Sequence, residues 1–247
     1  MLSLHGKTAV VTGGSQGIGA GIVRKFAKEG VNVVFNYNTN KGPAEQLVEE
    51  LKGTGARLIT VKADVTNAAE LDAMFGTAVN EFGNLDILVN NAGIFTFNPI
   101  DALTFEEVNR IYNTNVFAPV FAIQTALKSF KNGGSIINIG SIAASLTPPN
   151  ALAYSSGKKA LEGITKVLSK ELAPRKIRVN QINSGAVRTE GTQKAGVTEE
   201  VERDLLKTIP LGRIGLPEDI ANLTAFLASD EANWITGEII RVAGGAG

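Results

Sequence analysis

A tyrosine at 154 and a lysine at 158, in the stretch YSSGK, stand one helical turn apart. A phenol has a pKa near 10, which makes it a poor acid at neutral pH. A cation within about 4 to 6 Å favours the phenolate and lowers that pKa by roughly 1 to 3 units. On a helix running to about Leu172, Leu161, Thr165, Leu168 and Leu172 cluster with Tyr154, and Ala160, Ile164 and Val167 widen that apolar arc. Lys159, Glu162, Lys166 and Lys170 take the opposite arc, while Lys158 falls at the edge of the apolar stripe. The spacing alone admits two readings. One is a lysine snorkelling beside an anchored tyrosine; the other is two side chains aimed at one reacting atom.

A second chemical signal lies near the amino terminus. TGGSQGIG sets Gly13, Gly17 and Gly19 between an apolar run and a helical pattern. Glycines there permit a tight turn and close backbone approach, so that a helix N-terminus faces a pyrophosphate. The spacing departs from the usual dinucleotide fingerprint, but the turn opens a βαβ unit, the context such a motif requires.

The elements that must position these residues alternate along the whole chain. TAVVTG leads into a helix near Ile18 to Glu29, VNVVFNY into one near Pro43 to Leu51, and RLITVKADV into one near Ala68 to Phe82. LDILVNNAG is followed by helical pattern to about Phe130, then SIINIGS, the helix with Tyr154, IRVNQIN, further helices and EIIRVAGG. These seven short runs show little internal alternation, as expected of parallel strands buried on both faces with helical crossovers. The expected fold is α/β: a single doubly wound domain over residues 1–247, with a seven-stranded parallel sheet and helices on both faces. Ser184 to about Val197 is longer than a typical connection and is a candidate lid.

Composition narrows the chemistry. Lys plus Arg and Asp plus Glu are both 24, so no net charge marks the chain for nucleic acid or an anionic membrane. The chain has no cysteine and its only histidine is His5, which removes thiolate and histidine-base catalysis and multi-histidine metal sites; no metal is expected. No signal peptide or membrane span is visible, and the cytoplasm is the expected compartment.

TGGSQGIG, then NNAG at Asn90 to Gly93, then Ser141, then Tyr154 with Lys158, resemble the short-chain dehydrogenase/reductase family, and the resemblance extends to Gly244 and Gly245. It implies a Rossmann fold, hydride exchange with a nicotinamide cofactor, and a homotetramer with the C-terminal strand and the helices near Asn115 and Tyr154 at interfaces. Asn115 stands where the family's fourth active-site residue is expected, supporting a water that relays protons to Lys158. Lys158 is implied to hold the nicotinamide ribose as well. Ser141 ends a strand, so its hydroxyl can leave the carboxyl edge of the sheet and hydrogen-bond a carbonyl oxygen.

The same resemblance assigns cofactor contacts to Gly13, Ser15, Gln16, Gly17, Ile18, Gly19, Asn36, Tyr37, Asn38, Asp64, Val65, Asn91, Ala92, Gly93, Tyr154, Lys158, Gly185, Val187 and Thr189. NAD-preferring folds usually carry an acid at the end of the second strand. Here Asn36, Tyr37 and Asn38 stand there and no acid appears before Glu45, so NADP(H) is favoured over NAD(H), with Ser15, the amides and Lys41 as donors to a 2′-phosphate. Gln16 stands where many NADP-using members carry a basic residue. Ser184 precedes Gly185 where members commonly carry proline, which frees a φ angle and loosens the loop.

Phe95, Ser141, Ala143, Asn150 and Tyr154, with Phe97, Leu146, Pro149 and the 190s loop, form the candidate substrate wall. It is mostly apolar and suits a ketone or acyl group better than a sugar. The nearest resemblances are 3-oxoacyl-acyl-carrier-protein reductases and glucose 1-dehydrogenase-like sequences. Lys128, Lys131, Arg175 and Lys176 are either a carrier-protein patch or a solvated face. A small-molecule carbonyl or alcohol is the expected partner. A catalytically silent nucleotide-binding regulator is the alternative of another class.

Overall fold

The computed structural model describes residues 2–194 and 198–247. Seven strands form one sheet in the order β3-β2-β1-β4-β5-β6-β7, and every neighbouring pair is parallel. They are β1 (Thr8–Val11), β2 (Asn32–Tyr37), β3 (Leu58–Lys62), β4 (Leu85–Asn90), β5 (Phe130–Ser141), β6 (Ile177–Ser184) and β7 (Ile239–Val242). The helices are α1 (Gly17–Lys28), α2 (Gly42–Glu50), α3 (Ala68–Phe82), α4 (Phe105–Tyr112), α5 (Ala118–Ala126), α6 (Ala143–Leu146), α7 (Leu152–Glu171), α8 (Glu190–Lys194), α9 (Glu199–Leu206) and α10 (Pro217–Ala228).

The weak alternation of the strands has a direct cause. Val11, Val33, Phe35, Ile87, Val89 and Ile137 pack on one face with α1, α2 and α10. Val10, Val34, Leu88 and Ile136 pack on the other with α3 and α5. Both faces are dry, and burying each such side chain contributes about 1.5–3 kcal/mol. Among the described residues no helix is long and apolar enough to cross a membrane.

Local chemistry sets the ends of α3 where its pattern predicts them. The Asn67 carboxamide accepts from the N–H groups of Ala69 and Glu70, and Gly83 at φ 85° stops the last turn. Elsewhere the pattern is less complete than the structure. The helical stretch expected to reach Phe130 is divided by a π turn at Asn113–Phe117 and ends at Ala126, because β5 already begins at Phe130. Leu161, Thr165 and Leu172 are buried as the arc predicts, but Val167 is exposed and Ser169 turns inward, so one edge of the buried face of α7 differs from the expected arc. The irregular stretch expected from Ser184 contains α8; Ala195, Gly196 and Val197 lie outside the described residues.

β1 lies between β2 and β4, so chain order reverses there. The turns leaving the carboxyl ends of β1 and β4 diverge and open a crevice, the position where sheets of this topology receive ligands.

Candidate functional site

The crevice is a cavity of about 780 Å³ lined by the first turn, the ends of β2 to β4, part of α4, and Thr189 with Gly191. Glycine is dictated at two points of the turn. Gly13 sits at φ 63°, in the left-handed region. A Cβ on Gly19 would lie 2.1 Å from the Gly13 carbonyl oxygen and 2.5 Å from Asn91 Nδ2, which leaves room for a hydrogen and nothing larger.

Side chains around the turn hold backbone in place. Asn36 Oδ1 accepts from the Gly13 N–H at 2.7 Å while its Nδ2 donates to the Ala63 carbonyl at 2.7 Å. Asn91 Nδ2 donates to the carbonyls of Thr12 and Gly13, both at 2.9 Å, and Thr12 Oγ1 accepts from the Asn91 and Ala92 N–H groups. The cavity wall is thereby mostly main chain, fixed from behind by amides.

Asn115 works in the same way. Its Oδ1 accepts from the Ile94 N–H at 2.9 Å and its Nδ2 donates to the Ile94 carbonyl at 2.7 Å, fastening the loop after β4. The π turn carries this buried side chain toward Gly93, where an added Cβ would lie 3.2 Å from Asn115 Oδ1 and 3.4 Å from Lys158 Nζ. The carboxamide is engaged with Ile94, so any support it gives the lysine passes through this loop.

Beyond that wall the reactive side chains come together. Ser141 is the last residue of β5; its Oγ accepts from the Ala143 N–H at 3.1 Å, and its hydroxyl is near enough to the Tyr154 phenol to favour the phenol's charged form. Lys158 is buried, donates to the Ile139 carbonyl at 2.8 Å, and lies 5.9 Å from the centre of the Tyr154 ring. Burial pulls its pKa down from 10.5 to about 8.

The phenol moves opposite to the direction its lysine neighbour suggests. Burial raises the Tyr154 pKa and the Ser141 hydroxyl only partly offsets this. Tyr154 therefore keeps its proton at neutral pH, the form needed to donate one. Phe95 and Phe97 close over it, with ring centres 6.0 and 6.3 Å from the tyrosine and 5.9 Å from each other.

Gly13, Ser15, Gln16, Gly17, Ile18, Gly19, Asn36, Tyr37, Asn38, Asp64, Val65, Asn91, Ala92, Gly93, Phe95 and Thr189 all line the cavity. Asp64 Oδ1 accepts from the Thr66 N–H and hydroxyl, closing a small turn. Tyr154, Lys158, Gly185 and Val187 are not part of this wall. Gly185 packs on Ala243, where a Cβ would lie 2.7 Å from its Cα, and Val187 is buried against the Gly215 strand pairing. Ser184 does not loosen the loop as proline's absence suggests. It is the buried end of β6, with its hydroxyl donating to the Gly140 carbonyl at 3.3 Å.

Ala143 is buried beside Ser141, while Asn150 is exposed at φ 65° and its carbonyl accepts from the Asn98 N–H. Lys41 is paired with Glu45 at 2.8 Å and does not line the cavity. The basic residues considered for a carrier protein lie elsewhere. Lys131, Arg175 and Lys176 cluster at the amino ends of β5 and β6, about 23 Å down the strand from Ser184 at 3.3 Å per residue. Lys131 and Arg175 are there bonded to the Gly83 and Leu127 carbonyls.

Glu106, Asn109, Arg110, Asn113 and Thr114 also line the cavity and were not expected to. The polar string NRIYNTN was the only signal for the last four of them. Among the described residues no cluster of acids and histidine could hold a metal ion. A glycine cradle with no space for a Cβ, exposed helix N–H groups and a β2 end without an acid fit a phosphorylated dinucleotide.

Comparison with known proteins agrees with this geometry. The family model described as enoyl-(acyl carrier protein) reductase matches residues 13–247. An uncharacterized oxidoreductase of Methylorubrum extorquens is 48% identical over 99% of both chains. A hydroxynaphthalene reductase-like protein of Metarhizium guizhouense is 39% identical over 99% of this chain and 96% of its own. Among solved structures, a short-chain dehydrogenase/reductase from Serratia marcescens is 39% identical with a TM-score of 0.93, covering 98% of both chains. A blue fluorescent protein from a metagenomic library, in complex with NADPH, is 38% identical at TM-score 0.93 over 98% of both chains. An angucycline C-6 ketoreductase with bound NADP is 35% identical at TM-score 0.92, covering 98% of this chain and 96% of its own.

Proposed function

The chain belongs to the short-chain dehydrogenase/reductase family, and from that premise we propose that it transfers hydride reversibly between NADP(H) and a ketone or the corresponding alcohol. The Ser141 hydroxyl beside the Tyr154 phenol, with the buried Lys158 5.9 Å from the centre of the tyrosine ring, carries this reading. When bound, the nicotinamide supplies or accepts the hydride. Tyr154, protonated at neutral pH, gives its proton to the oxygen that becomes the alcohol, and Ser141 hydrogen-bonds that oxygen. Lys158 places positive charge behind the phenol as the proton leaves and reaches for the ribose. Asn115 keeps the Ile94 loop, and with it Gly93, in register.

NADP(H) is favoured because no acid on β2 opposes a 2′-phosphate and because the NADPH- and NADP-bound relatives share the fold over nearly the whole chain. Phe95 and Phe97 against Tyr154 favour a ketone on or beside a flat apolar ring, in keeping with the names of the hydroxynaphthalene and angucycline reductases. A sugar finds few polar partners on this wall. A carrier-bound acyl group loses its basic patch to the opposite end of the sheet. Residues 1–247 act as one cofactor-binding unit in this reading. Exposed Phe105, Phe117, Phe121, Leu152 and Val167 on α4, the π turn, α5 and α7 support a homotetramer.

A panel of aryl ketones, 3-oxoacyl thioesters and glucose, assayed with NADPH and NADH, tests the reading. Turnover of aryl ketones with NADPH at higher kcat/KM than with NADH is expected. No turnover of any member by protein that binds NADPH would instead favour the silent regulator.

A further inference from the structure

α1 begins without a cap of its own: Gln16 makes no side-chain capping bond and the first turn has no acid. Its first N–H, on Gly17, is nevertheless occupied. Glu190, 173 residues further along, accepts from it at 3.0 Å through Oε2. The neighbouring Thr189 packs on the same glycine, with its Cβ 3.3 Å from where a Gly17 Cβ would stand. Its hydroxyl accepts from the Thr192 N–H at 3.1 Å. Arg24, on the same helix, is held by three hydrogen bonds to Glu50 and also feels the charge of Glu190, so that helix backbone and guanidinium together make the positive pole that Glu190 meets.

A carboxylate on the first N–H of a helix replaces a missing anion and is stabilising there. A dinucleotide pyrophosphate seeks the same N–H groups. Two anions on one helix terminus repel, so one excludes the other.

We propose that Glu190 is a displaceable stand-in for the cofactor pyrophosphate, and that this carboxylate sets dinucleotide affinity by competing for the N-terminus of α1. The proposal rests on the reading of the cavity as a dinucleotide site. Glu190 holds the start of the segment after β6 against the glycine turn, and cofactor entry displaces it. Glu190 touches no reacting atom; its role is to set the occupancy of the site.

The two effects of its removal have opposite signs, which makes the proposal testable without turnover. Titration calorimetry of NADPH on the full chain and on Glu190→Gln, with thermal melts of both without ligand, is the measurement. Glu190→Gln should melt lower when ligand-free yet bind NADPH roughly 2- to 30-fold tighter. The gap should narrow between 0.05 and 0.5 M salt as charge is screened. Glu190→Asp, which keeps the charge, should fall between the two. NADPH binding equally or more weakly to Glu190→Gln would overturn the proposal, because a residue that merely packs the loop loosens the site when removed. If the wild-type chain itself bound neither NADPH nor NADH, the dinucleotide reading would fail and the role of Glu190 with it.

Discussion

The two halves of the crevice are built on different terms. On the β1–β2–β4 side, Asn36, Asn91 and Thr12 face inward and hold main chain, so what the cavity meets is largely peptide. On the β5–α7 side, Ser141 and Lys158 are buried and gather their polar groups beside the Tyr154 phenol. The first half is therefore sensitive to volume and backbone shape, and the second to the identity of single functional groups.

The sharpest way to break this contrast is Tyr154→Phe. Ketone reduction should fall about 10²- to 10⁴-fold while NADPH affinity stays near the wild-type value. Retention of most of the rate would dismiss Tyr154 as the donor.

Gly19→Ala should do the reverse. One methyl group placed 2.1 Å from the Gly13 carbonyl forces the turn open, costing about 1–3 kcal/mol of stability and weakening NADPH, with no reacting group touched. Unchanged melting and binding would show that the turn is more compliant than its spacing implies.

The remaining test is a pH dependence. Lys158 titrates near pH 8 in the folded chain but near 10.5 when unfolded, so between those values the unfolded chain binds more protons. Compared with Lys158→Met, the ligand-free wild type should gain stability as pH rises from about 8 toward 10.5, and its reduction rate should fall over the same range as the cation is lost. Melting curves of the two proteins with parallel slopes against pH would contradict this.

Much of this could be read in the residues. Strands buried on both faces betray themselves by unbroken apolar runs, and α3 carries its own start and stop in Asn67 and Gly83. Ser141, Tyr154 and Lys158 were legible because family resemblance and chemistry point to the same positions. Less legible were the partners of polar residues. Asn36 reads as a ribose contact until its two bonds to Gly13 and Ala63 are seen, because residue type does not reveal which atoms are already engaged. Arg110 and its neighbours on α4 reach the cavity through an extra residue in the π turn that no periodicity discloses. Glu190 meets α1 across 173 residues, a separation at which no local pattern operates.

The adjacency of β1 and β4 has a bearing on how the chain comes to be folded. Val10 pairs with Leu88, and until that distant pairing forms the crevice has only one wall. Closing so long a loop must precede the contacts that reward it, which makes assembly slow by comparison with helical proteins. During synthesis the β1–β2–β3 portion emerges first, complete with Gly13 and Asn36, and waits for β4 to bring Asn91. The binding half thus serves as the template on which the reacting half is later laid down.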